Sequence, residues 1–236
     1  MIGLRVPKLI LLVGVLGLAA CVSHQPLPLY KLDSGAPSVS EHKDGPAVLL
    51  GPVEVADYLQ RETLLQRQPD GSLTPAPDER WAGSLAADIK QLLLHQLAWR
   101  LDTQRLALAP ASEGFSADAQ VLVSISRLDS GPQQPAVLEA HWRVLDKRGQ
   151  LRESRMVRLQ EAHQGTPADQ VRAQSLLLQR MVEELAVAVR PVAREPAPVA
   201  ETPRKPAAAA AKPKEPEEPK IPMAAPVRTD VEVFRF

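Results

Sequence analysis

The residue best placed to do chemistry is a thiol. Cys21 is the one cysteine in the 236-residue chain, so it cannot be half of an internal disulfide. It follows Leu18-Ala19-Ala20, which matches the lipobox read by the bacterial lipoprotein-processing machinery. At such a site the thiol takes a diacylglycerol group, a peptidase cuts before the cysteine, and the new amine is acylated. Upstream, Arg5 and Lys8 make a short positive region, and Leu9 through Leu16 is an apolar run broken by Gly14. This is the plan of a secretory signal peptide over residues 1–20. The run falls short of the roughly 18 apolar residues that a spanning helix needs. Two or three acyl chains on Cys21 hold a membrane far more firmly than one. Val22 stands where an Asp commonly retains lipoproteins at the inner membrane, so the expected location is the periplasmic face of the outer membrane.

No second reactive constellation accompanies it. The five histidines are scattered, with His24 and His42 near the start, His95 and His141 in the body, and His163 in a loop. None has the H-E-x-x-H spacing of a metal site, and neither a G-x-S-x-G elbow nor a Gly-rich phosphate loop is present. The expectation is a non-enzyme with no metal and no cofactor beyond the lipid on Cys21. The 28 basic and 28 acidic side chains balance, so no strong field recruits nucleic acid. Leu-Asp-Ser-Gly occurs at Leu32–Gly35 and again at Leu128–Gly131. Both copies read as turns.

Two local sites have the residue types of an interface. One is Pro52 to Arg61, a strand leaving the core and ending in Tyr58-Leu59-Gln60-Arg61. The other is Glu79-Arg80-Trp81-Ala82-Gly83-Ser84-Leu85. Tyr, Trp and Arg are favoured interface anchors, which makes Tyr58, Leu59, Arg61, Arg80 and Trp81 candidates for binding a partner. Against this stands a structural role, with Tyr58 filling a sheet edge and Trp81 covering the core where helix meets sheet. That second reading takes precedence for the rings, because buried aromatics serve the core first.

The elements that must position these residues follow from periodicity. Residues 21–46, with Pro26, Pro28, Pro37 and Pro46, read as a tether, interrupted by an apolar patch at Leu27–Leu32 that offers a short edge strand. A folded domain is expected over residues 47–190. Ala47–Ala56 reads as a strand with Gly51-Pro52 at a bulge or edge. Glu62–Gln68 is a second strand, with Asp70-Gly71 as its turn. From Arg80 to Leu101 the apolar residues Leu85, Ile89, Leu92, Leu93, Leu97 and Leu101 form a helical stripe, with its start placed near Pro77 or Asp78. Val121–Ile125 is a buried strand. Leu138, Ala140, Trp142 and Val144 alternate with polar partners in the cleanest period-two pattern of the chain. Asp146–Gly149 is a hairpin turn, and Leu151–Leu159 returns as a strand. Thr166 as a cap, Pro167 at the first helical position and Asp169 then open a last helix, which Pro191 is expected to end. The class is α+β: a largely antiparallel sheet with two helices packed on one face. Residues 191–230 are rich in Pro, Ala, Lys and Glu and are expected to be a disordered tail. An apolar segment closes the chain at 231–236, with Val233, Phe234 and Phe236 as docking candidates.

The ordered set of motifs resembles the PqiC (YmbA) family of ABC-type transport auxiliary lipoproteins. It is carried by the lipobox, Tyr30-Lys31-Leu32, Tyr58-Leu59-Gln60-Arg61, Glu79-Arg80-Trp81-Ala82-Gly83-Ser84-Leu85 and Leu138-Glu139-Ala140-His141-Trp142. The resemblance implies an outer-membrane docking or exit component working with an MCE-domain protein in trans-envelope lipid transport. It also leaves room for a homo-oligomer. Gln60 departs from the Asp common in the family, and the long tail has no family counterpart. A different reading is an outer-membrane assembly or secretion accessory that binds a barrel or cell-wall partner through 231–236, by adding a strand to an exposed edge. A lipid-modifying enzyme is third, with little behind it.

Overall fold

The alternation around Trp142 sets the centre of the fold. In the computed structural model, which describes residues 27–35, 37–38 and 41–195, that pattern is strand β7 (Gln134–Asp146). It lies antiparallel between β6 (Ala119–Gly131) and β8 (Leu151–Glu161). Trp142 and Val144 are fully buried on one face, while Arg143 on the other is exposed. Asp146 closes the β7–β8 turn by accepting from the Arg148 and Gln150 amides at 2.8 and 3.0 Å. These hydrogen bonds lower the Asp146 carboxyl below the ordinary range, offsetting the desolvation that pushes it upward.

The other edge of β6 carries two partners in succession. β2 (Val48–Val55) runs parallel to residues 119–125 and in turn holds β5 (Leu106–Leu108). The register slips between Leu50 and Val53, which places the expected bulge at Gly51-Pro52. Further along, β3 (Thr63–Arg67) meets β6 at Gln66 and Ser130, pairs antiparallel with β4 (Leu73–Trp81), and β4 holds the two-residue β1 (Leu29–Tyr30) at the edge. The fold is thus α+β, an eight-stranded and mostly antiparallel sheet with two helices, as the alternation implied.

Helix α1 (Leu85–Leu101) and helix α2 (Pro167–Arg194) pack on each other, α1 against β2 and β5, α2 against β6, β7 and β8. The stripe of α1 is buried as read, with Ile89, Leu93 and Leu97 at 0% exposure. Its start is not where the composition put it. Residues Leu73–Trp81 form β4, and the helix begins only after Ser84, whose hydroxyl accepts from the Ala87 amide at 3.3 Å. Pro75 and Pro77 disfavour helical backbone in the residues before them, and Asp78 sits at φ +55° inside the strand, so it cannot begin a helix. The start of α2 is as expected: Thr166 Oγ1 accepts from the Asp169 amide at 3.2 Å, with Pro167 first in the helix. Its end differs, because the helix passes through Pro191 to Arg194. The hydrogen bond that Pro191 omits would go to the Val187 carbonyl, and Val187 is 61% exposed, so water can satisfy it there.

The signal peptide, Cys21, the tail from 196 onward and the candidates Val233, Phe234 and Phe236 lie outside the described residues. Among the described residues no helix is long and apolar enough to cross a membrane, and no cluster of His, Cys, Asp and Glu could hold a metal.

Candidate partner-binding cleft

The chain leaves β2 through Ala56 and makes a single 3-10 turn over Asp57–Gln60 before entering β3. The turn exists because Leu59 folds under it into the core, at 5% exposure. This swings Tyr58 toward the far end of β6. There its hydroxyl accepts from the Leu128 amide at 3.1 Å and donates to Asp129 Oδ2 at 3.1 Å. Arg61 follows at the end of the turn, exposed, with no hydrogen bond or ion pair among the described residues.

Asp129 is the hub. It is 1% exposed and is clamped by two guanidinium groups. Arg67 of β3 engages both of its oxygens, with Nε 3.3 Å from Oδ1, and Arg127 Nε donates to Oδ1 at 2.9 Å. Arg67 also ties back to the Gly71 carbonyl at 2.5 Å, fixing the β3–β4 turn. Burial first, and then the Asp129 charge, push the Tyr58 phenol up to about 12, so it stays protonated and keeps donating. The hydrogen bond to Asp129 likewise raises Arg67 above its ordinary value. The whole cluster is a satisfied ionic network, which holds β3 to β6 where the ladder supplies only one residue pair.

Gly131, just beyond, explains the close approach. A Cβ there would stand 1.8 Å from the Arg67 carbonyl oxygen, so only glycine lets β3 cross the end of β6. The second Leu-Asp-Ser-Gly copy is therefore strand and not a turn, with Leu128 through Gly131 all buried. The first copy is a turn, with the Gly35 amide donating to Asp33 Oδ1 at 2.8 Å.

Trp81 ends β4 and is 6% exposed, locked by its amide to the Glu62 carbonyl at 2.8 Å. It covers the core beside Leu85, the first residue of α1, which is the structural role expected of it. Tyr58, Leu59, Arg61 and Trp81 nonetheless come together, lining one small cleft with Leu64 and Gln174. Arg80 stays outside it. Its side chain points outward and donates to Thr63 Oγ1 at 3.1 Å.

Gln174 gives the cleft a polarity. Gln170 Nε2 donates to the Gly165 carbonyl at 2.8 Å, which leaves its Oε1 to accept from Ser130 Oγ at 3.3 Å. Ser130 Oγ must then accept from Gln174 Nε2, at 2.9 Å. Gln174 Oε1 is left as a buried acceptor without a donor. An unmet buried acceptor is costly, and the cleft beside it, about 10 Å³, has room for one water molecule to donate to it.

Sequence reasoning did not find Asp129, Arg67 or Arg127. Register slips between Ile125 and Arg127 and between Asp129 and Gly131 break the alternation, and Leu128 through Gly131 are buried whichever way they face. A slip of that kind is invisible to residue spacing. The available signal was that no breaker separates Val121 from Leu128, which argues for continuing the strand.

The family of the ABC-type transport auxiliary lipoprotein component matches residues 30–186, a span that holds β6 to β8, the cleft and most of α2. The chain belongs to that family. Two solved structures share the fold. An uncharacterized protein is 18% identical at a TM-score of 0.54, with 70% of this chain and 96% of that one covered. A Xanthomonas campestris protein is 13% identical at 0.55, covering 70% and 97%. No curated protein matches. The family supplies the transport-associated, lipoprotein character of the chain, and the two structures supply the fold alone.

Proposed function

We propose that this auxiliary lipoprotein is a non-enzymatic docking or exit component of an MCE-type trans-envelope lipid transport system that maintains membrane integrity. It is held by lipid on Cys21 at the periplasmic face of the outer membrane, and its partner is the MCE-domain protein of the same system. Family membership supports the transport role. The observation that carries the docking role is the cleft itself. It brings together two sequence motifs about twenty residues apart and leaves Arg61 exposed and unengaged beside it. An exposed guanidinium of this kind fits a carboxylate on the partner. Tyr58 and Trp81 shape the walls and are committed to the fold, so Arg61 is the residue to test.

The experiment is a cross-linking pull-down from native envelopes with the wild type and Arg61→Glu, after thermal melts show equal stability. Recovery of an MCE-domain protein by the wild type, reduced about tenfold in the variant, on the order of 1.4 kcal/mol, supports the reading. Recovery of a barrel or secretin in its place would assign the chain to envelope assembly.

A further inference from the structure

The leash between the anchor and the fold is short. β1 begins at Leu29, and the segment after it is bound into the body of the domain. Leu32 is 7% exposed, the Asp33 amide donates to Ser175 Oγ at 3.0 Å, and Gln179 Nε2 donates to the Asp33 carbonyl at 2.9 Å. Only the residues between Cys21 and Leu29 are left to span from the bilayer. At about 3.5 Å per residue they reach at most ~28 Å, less than the ~43 Å length of a strand such as β6. The β1 edge is therefore the part of the fold that the bilayer meets first.

That edge has the surface chemistry for such a meeting. Leu27 and Leu29 are 45% and 64% exposed, two of seven large apolar side chains left in solvent among the described residues. In the β1–β4 register Leu29 stands beside Arg80, while Tyr30 and Trp81 form the next pair and turn toward the core. Lys31, two residues on, is exposed and reaches Asp88 only at 3.9 Å. Two leucines flanked by Lys31 and Arg80 make a small amphipathic patch. Apolar side chains of this kind enter the headgroup region while long cationic ones reach back to phosphate. Glu62 and Asp78 lie near Arg80, so net charge does not drive the contact, and the leucines carry it.

We infer that the Leu27/Leu29 edge, with Arg80 beside it, seats the domain directly on the phospholipid surface to which the Cys21 anchor is attached. The inference rests on the lipid at Cys21 and is independent of which protein fills the cleft. It gives Arg80 a role that its position outside the cleft leaves open.

The test uses the full-length lipoprotein reconstituted in vesicles of phosphatidylethanolamine and phosphatidylglycerol. Acylation blocks Cys21, so Leu29→Cys and, at the far edge of the sheet, Met156→Cys each supply one free thiol for an environment-sensitive fluorophore. Brominated phospholipid is expected to remove most of the fluorescence at position 29 and to leave position 156 unchanged, with aqueous iodide giving the reverse. Equal quenching of both positions by iodide overturns the inference. So does shielding of position 29 from both quenchers, which would mean that protein covers the edge. The mass of the N-terminal peptide is read on the same sample. An unacylated Cys21 overturns the anchor reading and this inference with it, whereas an acylated chain with position 29 in water overturns the seating alone.

Discussion

Asp129 shows how one buried carboxylate organises a region that has little ladder of its own. Two guanidinium groups and a phenol converge on it, and none of the three has another carboxylate of comparable burial nearby. Asp129→Ala would leave Arg67 without a carboxylate partner and Arg127 with only Glu139, at 3.8 Å. Because both guanidinium groups keep access to water, the loss should fall below the ~3–5 kcal/mol of a fully buried pair, and urea denaturation should show it as a lower midpoint at unchanged slope. Tyr58→Phe removes only the hydroxyl and leaves the ion pairs, so a loss of about 1.5–3 kcal/mol is expected. The pH dependence has a definite sign. Tyr58 holds its proton more tightly folded than unfolded, at about 12 against an ordinary value of 10.0. Its contribution is therefore complete below pH 10 and is lost as pH rises from 10 toward 12. The difference in stability between wild type and Tyr58→Phe should shrink across that window. A difference that stays constant would mean that the phenol is not the titrating group.

At the scale of elements, the contrast between the two helices shows what residue patterns carry. Helix α2 was legible because its signals are local: Thr166, Pro167 and Asp169 act within one turn of each other, and its buried stripe is contiguous. The core face of α1 was equally legible, but its start was not. Asp78-Glu79 suits a helix N-terminus by charge, and what overrides it is pairing with β3 and β1, partners distant in sequence. The same limit hid β5, whose three residues are a strand only because β2 holds them. Parallel pairs such as β2–β6 are connected through most of the intervening fold, so no hairpin signal marks them. The cleft was half legible. Its motifs announced Tyr58, Leu59, Arg61 and Trp81, while Arg80 proved to face outward and Asp129 was hidden by a register slip. Ser84 offers a direct check on the reassigned helix start. Ser84→Ala should cost about 1 kcal/mol, the usual worth of an N-cap, and lower the thermal midpoint by a few degrees. Asp78→Ala should leave α1 helicity untouched, and loss of helical signal from that variant would return the start to Asp78.

For the whole molecule, the open question of physics is where the cooperative body begins. The proline-rich stretch after Cys21 has the composition of a leash, yet within it Leu32 is as buried as much of the core and clusters with residues of α1, β6 and α2. Gln96 of α1 reaches the Ser34 carbonyl at 2.5 Å, and Asp33 is held from α2 on both its amide and its carbonyl. The segment thus bridges the two helices from outside and closes the groove between them. If it is part of the body, its apolar residues should behave according to burial and not according to neighbouring composition. Leu32→Ala should then cost about 2–5 kcal/mol, as large-to-small changes in a packed core do. Leu29→Ala, three residues away and largely exposed, should stay within about 0.5 kcal/mol. Both are read from global unfolding, in one transition seen identically by far-ultraviolet dichroism and tryptophan fluorescence. Were Leu32→Ala as mild as Leu29→Ala, the segment would be a loosely attached strap. A large penalty at Leu32 alone would make residues 32–34, read from composition as part of a leash, a working part of the cooperative body.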